Sequence, residues 1–143
     1  MKKIIVASAA LILFLTNTKY ARAQFTISPG SQFSMTGSLQ LTLSNTDLVN
    51  NGSFSAGTGA VSFTGNAPSN ILGSQAIQFY ELKVNKGAGV ALMLQTPVAV
   101  SQQISFNSGM LDLNGHDVDL GSTGILNGEQ ETSRILGSNG GEV

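Results

Sequence analysis

The sequence predicts an all-β protein, a right-handed parallel β-helix of about five to six short turns, on three observations. Apolar and polar residues alternate with a period of two in the patterned stretches beyond residue 23. Those stretches return at a spacing of roughly 20 residues, the mark of a coiled solenoid. Turn-forming Asn and Gly return in step with them.

The alternation begins at Leu39, Leu41 and Leu43, with Gln40 and Thr42 between. It continues at Val61 and Phe63, Ile77 and Phe79, and Leu82 and Val84, then at Val90, Leu92 and Leu94. Val98 and Val100, Ile104 and Phe106, Leu111 and Leu113, and Val118 and Leu120 complete the series. Each run is short and bounded by Gly, Asn, Ser or Pro, which reads as a strand. No stretch beyond the first residues has helical periodicity. Leu41, Val61, Leu82, Ile104 and Ile125 stand 20, 21, 22 and 21 residues apart. The corners between strands are expected at Asn50-Asn51-Gly52, Gly65-Asn66, Asn85-Lys86-Gly87, Asn107-Ser108-Gly109, Asn114-Gly115 and Asn127-Gly128. Asn and Gly accept the positive φ that sharp corners need. A β-sandwich of about seven strands is the alternative, and Leu113-Asn114-Gly115-His116 also fits a hairpin.

The first 23 residues carry a different signal. Lys2 and Lys3 precede the apolar run Ile4–Leu15, and a polar segment ends in Ala21-Arg22-Ala23. This is the order of a secretory signal peptide with a small-x-small cleavage site. The apolar run is shorter than the roughly 20 residues that span a bilayer. Cleavage after Ala23 would leave Gln24 first and a single domain over residues 24–143. Without Cys in the chain, neither a lipid anchor at the cleavage site nor a disulfide framework is available. Cleavage would also remove four of the seven bases, leaving Lys83, Lys86 and Arg134 against eight acids, a net charge of −5. Such a surface does not neutralise a run of phosphates or anionic lipid, so nucleic-acid and membrane-surface partners are excluded.

The segments Phe79-Tyr80-Glu81-Leu82-Lys83-Val84-Asn85, Gly89-Val90-Ala91-Leu92, Gly109-Met110-Leu111-Asp112-Leu113-Asn114-Gly115-His116-Asp117-Val118-Asp119-Leu120 and Gly124-Ile125-Leu126-Asn127-Gly128-Glu129 resemble the repetitive β-helical region of large secreted or surface-attached proteins of Bacteroidetes. Proteins of that kind commonly end in a sorting domain for type IX secretion. The resemblance covers residues 79–143. It implies a structural or adhesive role at the cell surface of a Gram-negative bacterium, with surface glycans or other surface proteins as partners. No sorting domain follows, and Gly140-Gly141-Glu142-Val143 falls where a further strand is expected. A domain incomplete at its C-terminus is the expectation; if complete, its open end invites edge-to-edge association.

The candidate chemistry is thin. Asp112, Asp117 and Asp119, with Asn114, are the densest set of oxygen donors and could hold Ca²⁺. Their spacing misses known calcium loops, and the alternation turns the three carboxylates outward to solvent. His116 is the single His and reads as an exposed turn residue. Asp117 with Asp119, or Glu129 with Glu131, are the carboxylate pairs a glycosidase would need, each pair set on one face of a strand. Gly57-Thr58-Gly59 and Gly87-Ala88-Gly89 lack the rest of a dinucleotide site, and no nucleophile motif occurs. Asn51-Gly52-Ser53 matches a glycosylation pattern but reads more simply as a turn. The expected catalytic, cofactor and metal sets are therefore empty. Gln40, Thr42, Ser62, Gln78, Gln102, Gln103 and Ser105 are expected as outward polar rows. With no Trp, and Tyr80 the single Tyr after the leader, a sugar-stacking platform is nearly absent. A polysaccharide-active β-helix enzyme and a small carbohydrate-binding sandwich remain the alternatives.

Overall fold

A computed structural model describes residues 22–143. The expected leader lies outside the described residues except for Arg22 and Ala23. Every strand pairing between named strands is parallel, as a β-helix requires and a hairpin-built sandwich forbids. Among the described residues there is no helix.

The chain winds in coils, each contributing up to three strands. The first coil holds β1 (Ala23–Ile27), β2 (Gln32–Ser34) and β3 (Gln40–Ser44). The second holds β4 (Thr46–Asn50), β5 (Ser53–Ser55) and β6 (Ala60–Gly65). In the third, β7 (Ser69–Gly73) is followed by β8 (Ile77–Lys86), which bends and serves two faces. In the fourth, β9 (Ala91–Leu94) is followed by the equally bent β10 (Val98–Ser108). The last strands are β11 (Met110–Asp112), β12 (Val118–Asp119), β13 (Ile125–Asn127) and β14 (Ile135–Leu136).

Three faces result. The first stacks β1-β4-β7-β9-β11-β14. A narrow second face pairs β2 with β5 and continues through the first halves of β8 and β10 to β12. The third stacks β3, β6, the second halves of β8 and β10, and β13. At the bend β10 carries more residues than β8, and the register shifts between Val100 and Gln103. This bulge absorbs an unequal coil length without disturbing either face.

Register turns the sequence period into columns. On the third face the inward column is Leu41–Val61–Leu82–Ile104–Leu126, buried from Val61 to Ile104 and open to solvent at Leu126, with Leu43–Phe63–Val84–Phe106 beside it. On the first it is Phe25–Leu48–Ile71–Leu94. On the second, the rings of Phe33, Phe54 and Phe79 follow one another at 5.8 and 5.7 Å. Adjacent coils sit about 4.8 Å apart, so each core side chain lies on its equivalent one coil away. The final member of the leucine column is Leu126, not Ile125. Ile125 pairs with Gln103 and belongs to the outward row, and the Ile104–Leu126 interval is 22 residues, the same as that from Leu82 to Ile104.

The corners explain the recurrent Asn. Asn45, at φ 52, turns its Oδ1 toward the next coil and accepts the Ala67 N–H at 2.9 Å. Gly65, at φ 94, lies against that amide, where any Cβ would collide with it. The same device recurs as Asp47 Oδ1 accepting from Asn70 N, Asn51 Oδ1 from Ser74 N, and Asp117 Oδ1 from Glu142 N. Asn114-Gly115 makes a corner of this kind and not the two-residue hairpin that its sequence also fits. There Asn114 Nδ2 donates to Leu94 O of the coil before, and Gly115 N donates to Gly140 O of the coil after.

Candidate binding face

On the outer side of the third face, register aligns Thr42–Ser62–Lys83–Ser105–Asn127, and beside it Gln40–Ala60–Glu81–Gln103–Ile125. Glu81 is the hub. Its Oε1 accepts from Gln103 Nε2, and from Ser105 Oγ at 3.0 Å. Lys83 Nζ lies 3.4 Å from Oε2. Partial burial pushes the Glu81 carboxyl up, but the donors of Gln103 and Ser105 and the Lys83 charge outweigh it and hold the group below its usual value. The ladder is thus locked across β8 and β10 by side chains as well as by backbone.

A folded-state value below the unfolded one means that Glu81 adds stability above the ordinary carboxyl value of 4.5 and loses it as pH falls further. Glu81→Ala is expected to cost about 0.5–1 kcal/mol at neutral pH. Urea unfolding at pH 7 and at pH 3 checks this, and the difference between the two proteins should shrink at the lower pH.

Around the bend lies the second face. A depression of about 220 Å³ is lined by Phe54, Gln78, Tyr80 and Ser101 among others. A second depression shares Phe54 and Gln78 with it and reaches Asp119. Half-buried ring edges, an amide, a hydroxyl and a carboxylate meet there. They offer hydrogen bonds and apolar contact to a neutral polar solute. Asp119 Oδ1 accepts the Gly121 N–H at 2.7 Å, so that oxygen is taken up by its own turn.

The residues singled out in sequence go to separate tasks. Asp112 is buried, against the expectation of an outward solvated carboxylate. The final coil folds over it, and Ser138 Oγ donates to the carboxylate while Asn114 N and Ser138 N reach Oδ1. Asp117 caps Glu142 and Asp119 caps Gly121, so the three carboxylates serve three turns. Among the described residues no group of three potential ligands gathers for a metal. His116 N donates to Leu113 O within the corner, and the side chain is half-buried. Glu129 and Glu131 lie outside any strand, contrary to the paired-strand expectation, and Glu129 accepts the Ile135 N–H. Asp117 likewise precedes β12 and does not share a strand with Asp119.

The sequence reading missed Lys86. It ends β8 with 1% of its surface exposed, and its Nζ donates to Thr64 O at 2.7 Å and Ser69 Oγ at 3.0 Å. Burial pushes its ammonium below the ordinary lysine value; Asp47 opposes the shift and Arg22 reinforces it. Asp47, itself buried, accepts both Asn70 N and Asn70 Nδ2 and stands 3.9 Å from Arg22 Nη1. In sequence Lys86 reads as turn material between Asn85 and Gly87. Its even alternation with Val84 and Leu82 was the available sign that it points inward.

No protein family, curated protein or solved structure matches this chain.

Proposed function

We propose that this chain is a non-enzymatic section of a secreted or cell-surface β-helix that serves as a stalk or display surface. One observation carries the reading. Many of the polar side chains that could have formed a reaction centre are occupied in joining one coil to the next. Asn45, Asp47, Asn51, Asp112 and Asp117 all accept backbone N–H groups from the following coil. Glu81, Gln103 and Ser105 are tied to one another. Groups committed in this way stiffen a column and are poorly placed to change partner during a reaction cycle. The leader-like N-terminus and the resemblance to Bacteroidetes surface proteins support export and display, with glycans or other surface proteins as the partners such a face would meet.

Two measurements test the reading. Protease shaving of intact producing cells, with immunodetection in cells and medium, should find the protein outside; a purely cytoplasmic pool overturns it. Purified protein incubated with a panel of neutral and uronate polysaccharides should release no reducing or unsaturated ends. Turnover on any of them would establish the β-helix enzyme instead.

A further inference from the structure

We propose that Asn127 is the chain's principal site of spontaneous deamidation, selected by the fold from four Asn-Gly steps. The steps are Asn51-Gly52, Asn114-Gly115, Asn127-Gly128 and Asn139-Gly140. In this reaction the backbone nitrogen following the Asn loses its proton to base and attacks the side-chain amide carbon. The new C–N bond closes a five-membered succinimide, and the amide nitrogen leaves as ammonia. Water then opens the ring at either carbonyl, giving Asp or isoaspartate. The net change is amide plus water to acid plus ammonia, with no oxidant or reductant. Glycine in second place leaves the attack unshielded, so all four steps are competent by sequence. Two conditions remain for the fold to set: a side-chain amide free to rotate onto the backbone, and an attacking N–H not held by an acceptor.

Three steps fail at least one condition. Asn51 Oδ1 accepts both Ser74 N and Ser74 Oγ, which holds its amide. Asn114 is held at both ends of its amide, by Leu94 O and by Asn139 Nδ2 at 2.7 Å, and Gly115 N is donated to Gly140 O. Asn139 is the partner in that amide pair, and Gly140 N is donated to Gly137 O at 3.1 Å.

Asn127 satisfies both. It is exposed at the end of β13, the last strand of the third face. Among the described residues no hydrogen bond holds its side chain, and none occupies the Gly128 N–H. Its place in the outer row, in register with Ser105, gives the modification a structural effect. Aspartate adds a negative charge to an end of the molecule already rich in acids. Isoaspartate inserts a methylene into the backbone of β13 and breaks its register with β10. The site would mark the protein's age by loosening one edge of the stack. This inference is independent of the proposed role.

The test is a timed incubation of the full chain at neutral and mildly alkaline pH, followed by digestion and mass spectrometry that separates Asp from isoaspartate peptides. Asn127 is expected to convert at least about tenfold ahead of the other three steps, a difference of about 1.4 kcal/mol in barrier. In urea the four rates should converge, since the selection comes from the fold. Asn127→Gln should remove the early acidic species while leaving the rest of the time course in place. First conversion at Asn51, Asn114 or Asn139 overturns the proposal. So does a lead for Asn127 that persists undiminished in urea, or no conversion at Asn127 in a period that converts the unfolded chain.

Discussion

Phe79→Ala should lower the unfolding free energy by about 3–5 kcal/mol, a large part of the 5–15 kcal/mol typical of a domain. Phe79 has no exposed surface and sits at the centre of the second face, with the Phe54 ring 5.7 Å away. In the column it lies between Phe54 and Val100. Its removal leaves a cavity that closes poorly, because the β8 backbone carrying it is held in ladder register with β10. The aromatic step to Phe54 is lost as well, which adds to the simple transfer cost. Phe79→Leu should recover more than half of the loss. Denaturant unfolding followed by circular dichroism measures all three proteins; a loss under about 1 kcal/mol for Phe79→Ala would mean that the second face is far looser than its packing indicates.

The second large effect lies at the corner where the third face meets the first. Asp47→Ala is expected to cost about 3 kcal/mol. It strips Lys86 of a neighbouring opposite charge while the ammonium stays buried, and it leaves the Asn70 N–H without its acceptor. Lys86→Met should fall within about 1 kcal/mol of the parent, since an apolar chain of similar length removes the desolvated charge along with its two hydrogen bonds. The double variant should therefore be appreciably more stable than the sum of the single losses predicts. Plain additivity would show that the two groups do not interact. The pH dependence has a definite sign. The folded state holds the Lys86 proton less tightly than the unfolded chain does, so stability rises as pH climbs through the depressed folded-state value toward the ordinary lysine value of 10.5. Lys86→Met should lack that rise. If cleavage falls after Ala23, Arg22 departs, and with it a charge that works against Lys86.

The third face was the most legible part of the chain. Leu41, Leu43, Val61, Phe63, Leu82, Val84, Ile104 and Phe106 alternate cleanly with outward-set residues, because one side of those strands is the core side, although in β6 neighbours also cover Ala60 and Ser62. The first face was harder to read. In β4, Asp47, Leu48, Val49 and Asn50 are all buried, and β7 opens on the buried Ser69, so the alternation there is erased. The cause is the Asp47–Asn70 and Lys86–Ser69 contacts, which draw polar side chains out of water at a corner. Strands as short as β2 and β5 carry a single apolar residue each, Phe33 and Phe54, too little for any period to register. The outward polar rows were visible in Gln40, Thr42, Ser62 and Ser105. The hub at Glu81 was not, since it depends on which residue of the next coil falls beside it, and the bulge at Ser101 and Gln102 decides that.

That bulge also governs how this protein can change in length. Every strand bonds to partners one coil away along the chain, so the molecule resembles a stack of storeys more than a woven sheet. Inserting a whole coil of about 22 residues would add a storey and leave the rooms above and below unchanged. Inserting one residue within a strand would turn core side chains outward through the remainder of that strand, and inserting two would slide its register by a full pleat. The same residues placed at the Val100–Gln103 bend are taken up locally, as they already are in the fourth coil. Variation among versions of this chain should thus come in two sizes, a full coil or a corner residue, with the intermediate lengths absent.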